Sequence, residues 1–127
     1  MKFGDKLREQ RKKRGLSQEA LARVLDFGRT TIINYESGKS YPQDRKAYYA
    51  LAEFFEVDVN YFLTEDEHFL TAAAELYGKH GQDQARVILE QTAALMAGGK
   101  LSDNDKLAFS REMQAIFLDS KEREAKG

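Results

Sequence analysis

The 127-residue chain contains no cysteine. It therefore has neither a disulfide framework nor a thiolate nucleophile, which fits a reducing compartment. It has a single proline, Pro42, and with strong helical periodicity that scarcity points to an all-helical protein. No apolar run approaches membrane-spanning length, and the opening MKFGDKLREQRKKRG is too polar for a signal peptide. A soluble, cytoplasmic protein with no membrane partner is expected. Material for enzyme chemistry is equally scarce. His68 and His80 lie too far apart in sequence to make a metal pair by themselves. Glu65, Asp66 and Glu67 cluster, but helix capping explains them better than acid–base work. No phosphate-cradling glycine loop or nucleophile motif occurs. The expectation is a non-enzyme with no cofactor and no metal.

What the chain does have is charge, unevenly spread. The net charge is −1. Residues 1–46 carry twelve Lys/Arg against six Asp/Glu, a net +6, and residues 47–127 carry eight against fifteen, a net −7. Solvated helix faces account for charge in general but not for its segregation. A basic front with an acidic back points to a polyanionic partner for the front. Hydrophobic residues, at 42%, suffice for a core.

Phe3, Leu7 and Arg11 share one face of a first helix ending near Gly15. Ser17 is a good N-cap for a second, with Leu21, Ala22 and Leu25 inward. Asp26-Phe27-Gly28 is short enough only for a tight turn, in which Asp26 tolerates the left-handed region and Phe27 plugs the angle between helices. A third helix follows from Arg29, buries Ile32 and Tyr35, and closes at Gly38. A fourth spans about Asp44 to Phe55, burying Tyr48, Leu51, Ala52 and Phe55, and Asp58 caps a short fifth. Thr64-Glu65-Asp66-Glu67 is a capping box that starts a new helix, which sets a domain boundary at 64. That helix stops near Gly78, Gly78–Gly81 form a turn, and Gln82 to Ala97 is helical with Ala85, Ile88, Thr92 and Leu95 on one stripe. Gly98-Gly99 breaks the chain again, and Ser102 opens a last helix.

Two short helices across a three-residue turn make a minimal helix-turn-helix, with the second helix offered to the DNA major groove. The stretch LSQEALARVLDFGRTTIINYESGKSYP resembles the Cro/phage-repressor-like (XRE) family: Leu16-Ser17-Gln18, the Leu21-Ala22 pair, a short turn, then Ile32, Glu36, Gly38 and Pro42 at the family's spacing. The resemblance covers residues 3 to 63. It implies a five-helix repressor-like helix-turn-helix domain over 1–64, and with the helical pattern of the rest the expected fold is all-α, with a C-terminal extension of about three helices over 65–127. It implies double-stranded DNA as partner, with Arg29, Thr30, Thr31, Ile33 and Asn34 against base edges. Arginine pairs with guanine, asparagine with adenine, and Thr or Ile methyls meet thymine methyls. A polar solvent face accounts equally well for Thr30 and Thr31 taken alone, and Ile33 sits evenly between the two readings. By the same resemblance Ser17, Gln18, Ser37 and Lys39 hold phosphates, while Arg11 and Glu36 form an internal ion pair. Lys12, Lys13 and Arg14 read as a solvated face with a modest steering effect. Asp26 stands where the family usually has glycine and Gly28 where it prefers serine. The loop after helix three is one residue longer than the common pattern.

At 100° per residue, Phe109, Met113, Ile116 and Phe117 of the last helix gather on one face with Ser120, and Leu107 and Leu118 on nearly the opposite one. Two apolar stripes suit two partners, one within the chain (Ile88, Leu95, Phe69) and one in a twin subunit. Burial of both stripes in one helical unit is the alternative. The expected function is a sequence-specific transcriptional regulator, a repressor binding a palindromic operator as a homodimer. Two other readings remain open: an antitoxin or protein-interaction module with autoregulatory DNA binding, and a sensor for a small-molecule inducer lined by Phe69, Tyr77, Phe109 and Phe117.

Overall fold

The structure, a computed structural model, describes residues 1–97 and 102–126. Gly98-Gly99, read above as a helix break, lies outside the described residues, as do the side chains of Leu95 and Ser120. Among the described residues the secondary structure is helical throughout: α1 (Phe3–Lys13), α2 (Gln18–Leu25), α3 (Arg29–Ser37), α4 (Arg45–Phe55), α5 (Val59–Phe62), α6 (Glu65–Met96) and α7 (Asp103–Lys126). None of these helices is long and apolar enough to cross a membrane. The chain divides into two compact units, Met1–His68 and Phe69–Gly127.

In the first unit the helix ends follow local chemistry. Ser17 Oγ accepts from the Ala20 amide (3.0 Å), Asp44 Oδ1 from Lys46 (3.0 Å) and Asp58 Oδ1 from Asn60 (2.8 Å). Each thereby satisfies an amide that the first turn of a helix leaves without a partner. Asp26 ends α2 in the left-handed region (φ 56°), and the next amide, of Phe27, reaches back to Ala22 O at 2.8 Å. This tight stop turns the chain directly into α3. Gly28 opens α3 without a side-chain cap, and Gly38 closes it. The Thr64 hydroxyl donates to the carboxylate of Glu67 at the start of α6.

One core holds the five short helices together. Phe3, Leu7, Leu21, Ile32, Tyr48, Leu51, Phe55 and Phe62 are all buried in it. Phe3 is its hub, with ring centroids of Tyr48, Tyr35, Phe62 and Tyr41 at 5.1, 5.8, 5.8 and 6.1 Å. Edge-on geometry dominates there, as the aromatic quadrupole favours. Phe27 packs against this core and meets Tyr35 edge-on at 6.5 Å.

In the second unit, α6 is broken at Gly78 (φ 71°, ψ −169°). The expected four-residue turn over Gly78–Gly81 is corrected to a break of one residue, because Gly81 is already helical and buried. Its role is close packing: a Cβ there would lie 2.5 Å from Tyr77 Cβ and 3.1 Å from Ala73 O. Gln82 Nε2 donates to Leu70 O (3.3 Å). α7 is anchored by an edge-on contact between Phe117 and Phe69 (5.6 Å) and by the Tyr77 hydroxyl, which donates to Leu118 O (3.3 Å). Met113, Phe117 and Leu118 are half-buried, whereas Leu107, Phe109 and Ile116 are exposed.

Candidate nucleic-acid interface

α3 is a nine-residue helix with an inner edge and an outer face. Ile32 is fully buried in the core. One turn on, the side chain of Glu36 is 0% exposed, which an isolated carboxylate would not tolerate. Its partners resolve the conflict. Arg11 grips it with two bonds, Nε to Oε2 at 2.7 Å and Nη2 to Oε1 at 3.0 Å, and spends Nη1 on Leu16 O at 2.8 Å. The bond to Glu36 raises the Arg11 guanidinium above its ordinary value, with burial acting in the opposite direction. Gln18 Nε2 adds a third donor to the carboxylate at 3.3 Å, and Arg8 Nε stands 3.5 Å from Oε1. Helices α1, α2 and α3 are thus locked around one carboxylate.

Two further contacts were not legible as such in the sequence. Arg8 Nη2 donates to the backbone carbonyl of Glu36 (3.1 Å), a cation at the carbonyl end of α3 where the helix dipole favours it. The signal was available, since Gly4, Arg8 and Arg11 share one face of α1. Arg14 is more than the solvated cation expected. Its Nη2 donates to Phe54 O (3.0 Å) and reaches Glu56 (3.3 Å), and its guanidinium lies over the Phe54 and Phe55 rings at 5.3 and 5.9 Å. It clamps the end of α1 to the end of α4, forty residues away, a pairing that no local pattern announces.

With its inner edge fixed and Tyr35 packed against the core, α3 turns a mostly polar face outward. Arg29 and Thr30 are exposed, and Thr31, Ile33 and Asn34 are half-buried. Asn34 engages the chain through its carbonyl, which accepts from Ser37 Oγ (3.1 Å) and the Lys39 amide (3.0 Å). Among the described residues its side-chain amide has no partner, and Arg29 has no acidic one. Ser37, the last residue of the helix, and Lys39, just beyond it, are exposed. Ser17 spends its hydroxyl oxygen on capping α2. Gln18 spends one amide hydrogen on Glu36 and keeps a second. Two short helices across a left-handed turn, with a donor-rich outer face on the second, make a helix-turn-helix, the motif that offers its second helix to the DNA major groove.

The comparisons agree with that geometry. The helix-turn-helix domain family, of XRE type, matches residues 4–67, half of the chain, and the chain belongs to it. It is similar to the HTH-type transcriptional activator BcrR of Enterococcus faecalis, at 36% identity over 75 residues. That alignment covers 59% of this chain and 36% of the relative, so the chain spans little more than a third of that protein's length. No solved structure gives a significant match.

Proposed function

We propose that this helix-turn-helix regulator reads a palindromic operator as a homodimer and represses by occupying it. The observation that carries the reading is the outer face of α3. Arg29 and the Asn34 amide have donors to spare there, beside Ser37 and Lys39, in the half of the chain that carries the positive charge. Buried, locked α3 geometry of this kind is what base reading needs, since a misplaced amide loses its bidentate partner. Arg29, Thr30 and Asn34 reach base edges, Thr31 and Ile33 supply methyls, and Gln18, Ser37 and Lys39 hold phosphates, with Ser17 orienting the α2 terminus that does so.

Binding should therefore weaken steeply with salt as counterions are released. On the best site selected from a random pool, Asn34→Ala should cost about 1–3 kcal/mol and relax preference at one base pair. Lys39→Ala should weaken all sequences alike. Equal loss on selected and random DNA for Asn34→Ala removes that residue from the base-reading set.

One helix-turn-helix reads only a few base pairs, so two half-sites about 34 Å apart call for two copies. The region 65–127 supplies the second contact, and the exposed Leu107, Phe109 and Ile116 with the half-buried Met113, Phe117 and Leu118 are the apolar surface available for it. A chain of residues 1–68 is expected to fold, sediment as a monomer and lose most operator affinity, while the full chain sediments as a dimer. A dimeric 1–68 would refute this division of labour. The relative's description as an activator supports a second reading in which the same complex activates. In vitro transcription with the selected site overlapping or upstream of a promoter decides the sign, and stimulation from both positions would exclude repression.

A further inference from the structure

α6 consists of two helical arms joined by one residue. The bend is confined to the torsions of Gly78, with helix directly on either side. A Cβ built there meets nothing within 4 Å, so packing at the hinge does not hold the bend, and only glycine's freedom at positive φ allows it. The arms hold each other through the Gln82–Leu70 bond and the close approach at Gly81.

The two arms nevertheless keep the register of a single helix. Traced at 100° per residue across Gly78, the inner positions Leu70, Ala74, Tyr77, Gly81, Ala85 and Ile88 recur every three or four residues within an arc of about 80°. Leu76 and Val87, 63% and 46% exposed on the bent form, fall within about 20° of Phe69 on a neighbouring stripe. Arms that functioned only as a bent pair would have no need of a common phase.

We propose that in the homodimer Gly78 becomes helical, α6 straightens, and two copies exchange arms, antiparallel about their Gly78 residues. This rests on the homodimer reading above. The occupant is a second copy because the surface that fits each arm is the arm this chain already carries. Every arm–arm contact is remade between chains, the low-cost route to a symmetric dimer. A one-residue hinge leaves the closed form no slack, which favours exchange. Straightening also restores the backbone hydrogen bonds interrupted at the bend and brings Leu76 and Val87 onto the face of Phe69. Thirteen residues of rise on each side of the centre separate the two Glu65 residues by about 39 Å. Half-sites one DNA turn apart, about 34 Å, ask for a similar spacing.

Sedimentation equilibrium of the full chain with two hinge variants tests the exchange. Alanine fits the space at position 78 but resists positive φ and favours helix in both copies. Gly78→Ala should therefore tighten dimerisation by about tenfold or more. Insertion of Gly-Gly-Ser after Gly78 relaxes the closed form and should weaken dimerisation by at least about tenfold, with helicity by circular dichroism retained. Should Gly78→Ala lose helicity, the insertion variant alone decides. A dimer indifferent to the hinge overturns the exchange and leaves the homodimer standing. A full chain that stays monomeric at high concentration overturns both.

Discussion

Glu36→Ala is expected to destabilise the N-terminal unit by about 3–5 kcal/mol, the range for breaking a buried ion pair from one side. The cost comes from what remains. Arg11 is only 12% exposed, and with the carboxylate gone it keeps one acceptor, Leu16 O, for a guanidinium with five donors. Arg8 and Gln18 lose the same partner. A domain of this size has roughly 5–15 kcal/mol in total, and its melting temperature should fall by more than about 10 °C. The pair itself contributes much less than this figure, because both ions are desolvated to form it. Replacing both together (Arg11→Met with Glu36→Leu) should recover most of the loss, as apolar substitutes for buried pairs often do. A melt of Glu36→Ala matching the parent would show that the carboxylate does not hold the three helices together. Affinity for DNA measured well below the melting temperature should fall as well, since α3 loses its inner anchor.

Gly4→Ala sets two rules against each other. Gly4 lies in the first turn of α1, and helix propensity alone predicts a gain of up to about 1 kcal/mol from alanine. Packing predicts the opposite. A Cβ on Gly4 would collide with the backbone carbonyls of Tyr35 and Glu36, the latter at 2.6 Å. A carbonyl at the end of α3 cannot swing aside as a flexible side chain would. α1 must back away, and that loosens Phe3 in its ring of four aromatics and stretches the Arg8 and Arg11 bonds to Glu36. Overpacking of this kind costs about 1–3 kcal/mol, and the coupled loss of the bonds places Gly4→Ala at or above the top of that range. Urea denaturation of the full chain measures it, and any stabilisation would mean that α1 and α3 are less tightly apposed than described. Gly15→Ala, where nothing lies within 4 Å, separates steric from conformational cost, since only its positive φ is at stake there.

Much of the protein was legible in its residues because the responsible interactions are local. Ser17 and Asp58 each act on an amide two or three positions ahead, so their caps follow from residue type and position alone. The spacing of Leu21 and Ala22, Ile32, and Tyr48 with Leu51 and Phe55 dictates which side of each helix must be dry, whatever lies opposite. Asp26 could be assigned to the left-handed region because few residues enter it cheaply. The helix-turn-helix and the outward set on α3 follow from these local facts together with the family's spacing.

Tertiary structure decided what depends on partners distant in sequence. Helical phase marks Gly4, Arg8 and Arg11 as one face, but only the crossing of α1 over α3 makes Gly4 irreplaceable and sends Arg8 to a backbone carbonyl. Arg14 looked like one cation among three, and it became a clamp because folding brings the end of α4 beneath it. Glycine at 78 and at 81 reads alike in sequence. One is a hinge in open space and the other a helical residue pressed against Tyr77 and Ala73, since a glycine's role is set by the atoms its missing Cβ would meet. Sequence periodicity reports how far a side chain turns around its own helix axis. It carries no record of how closely two axes approach, and that distance is fixed by the packing of the whole unit.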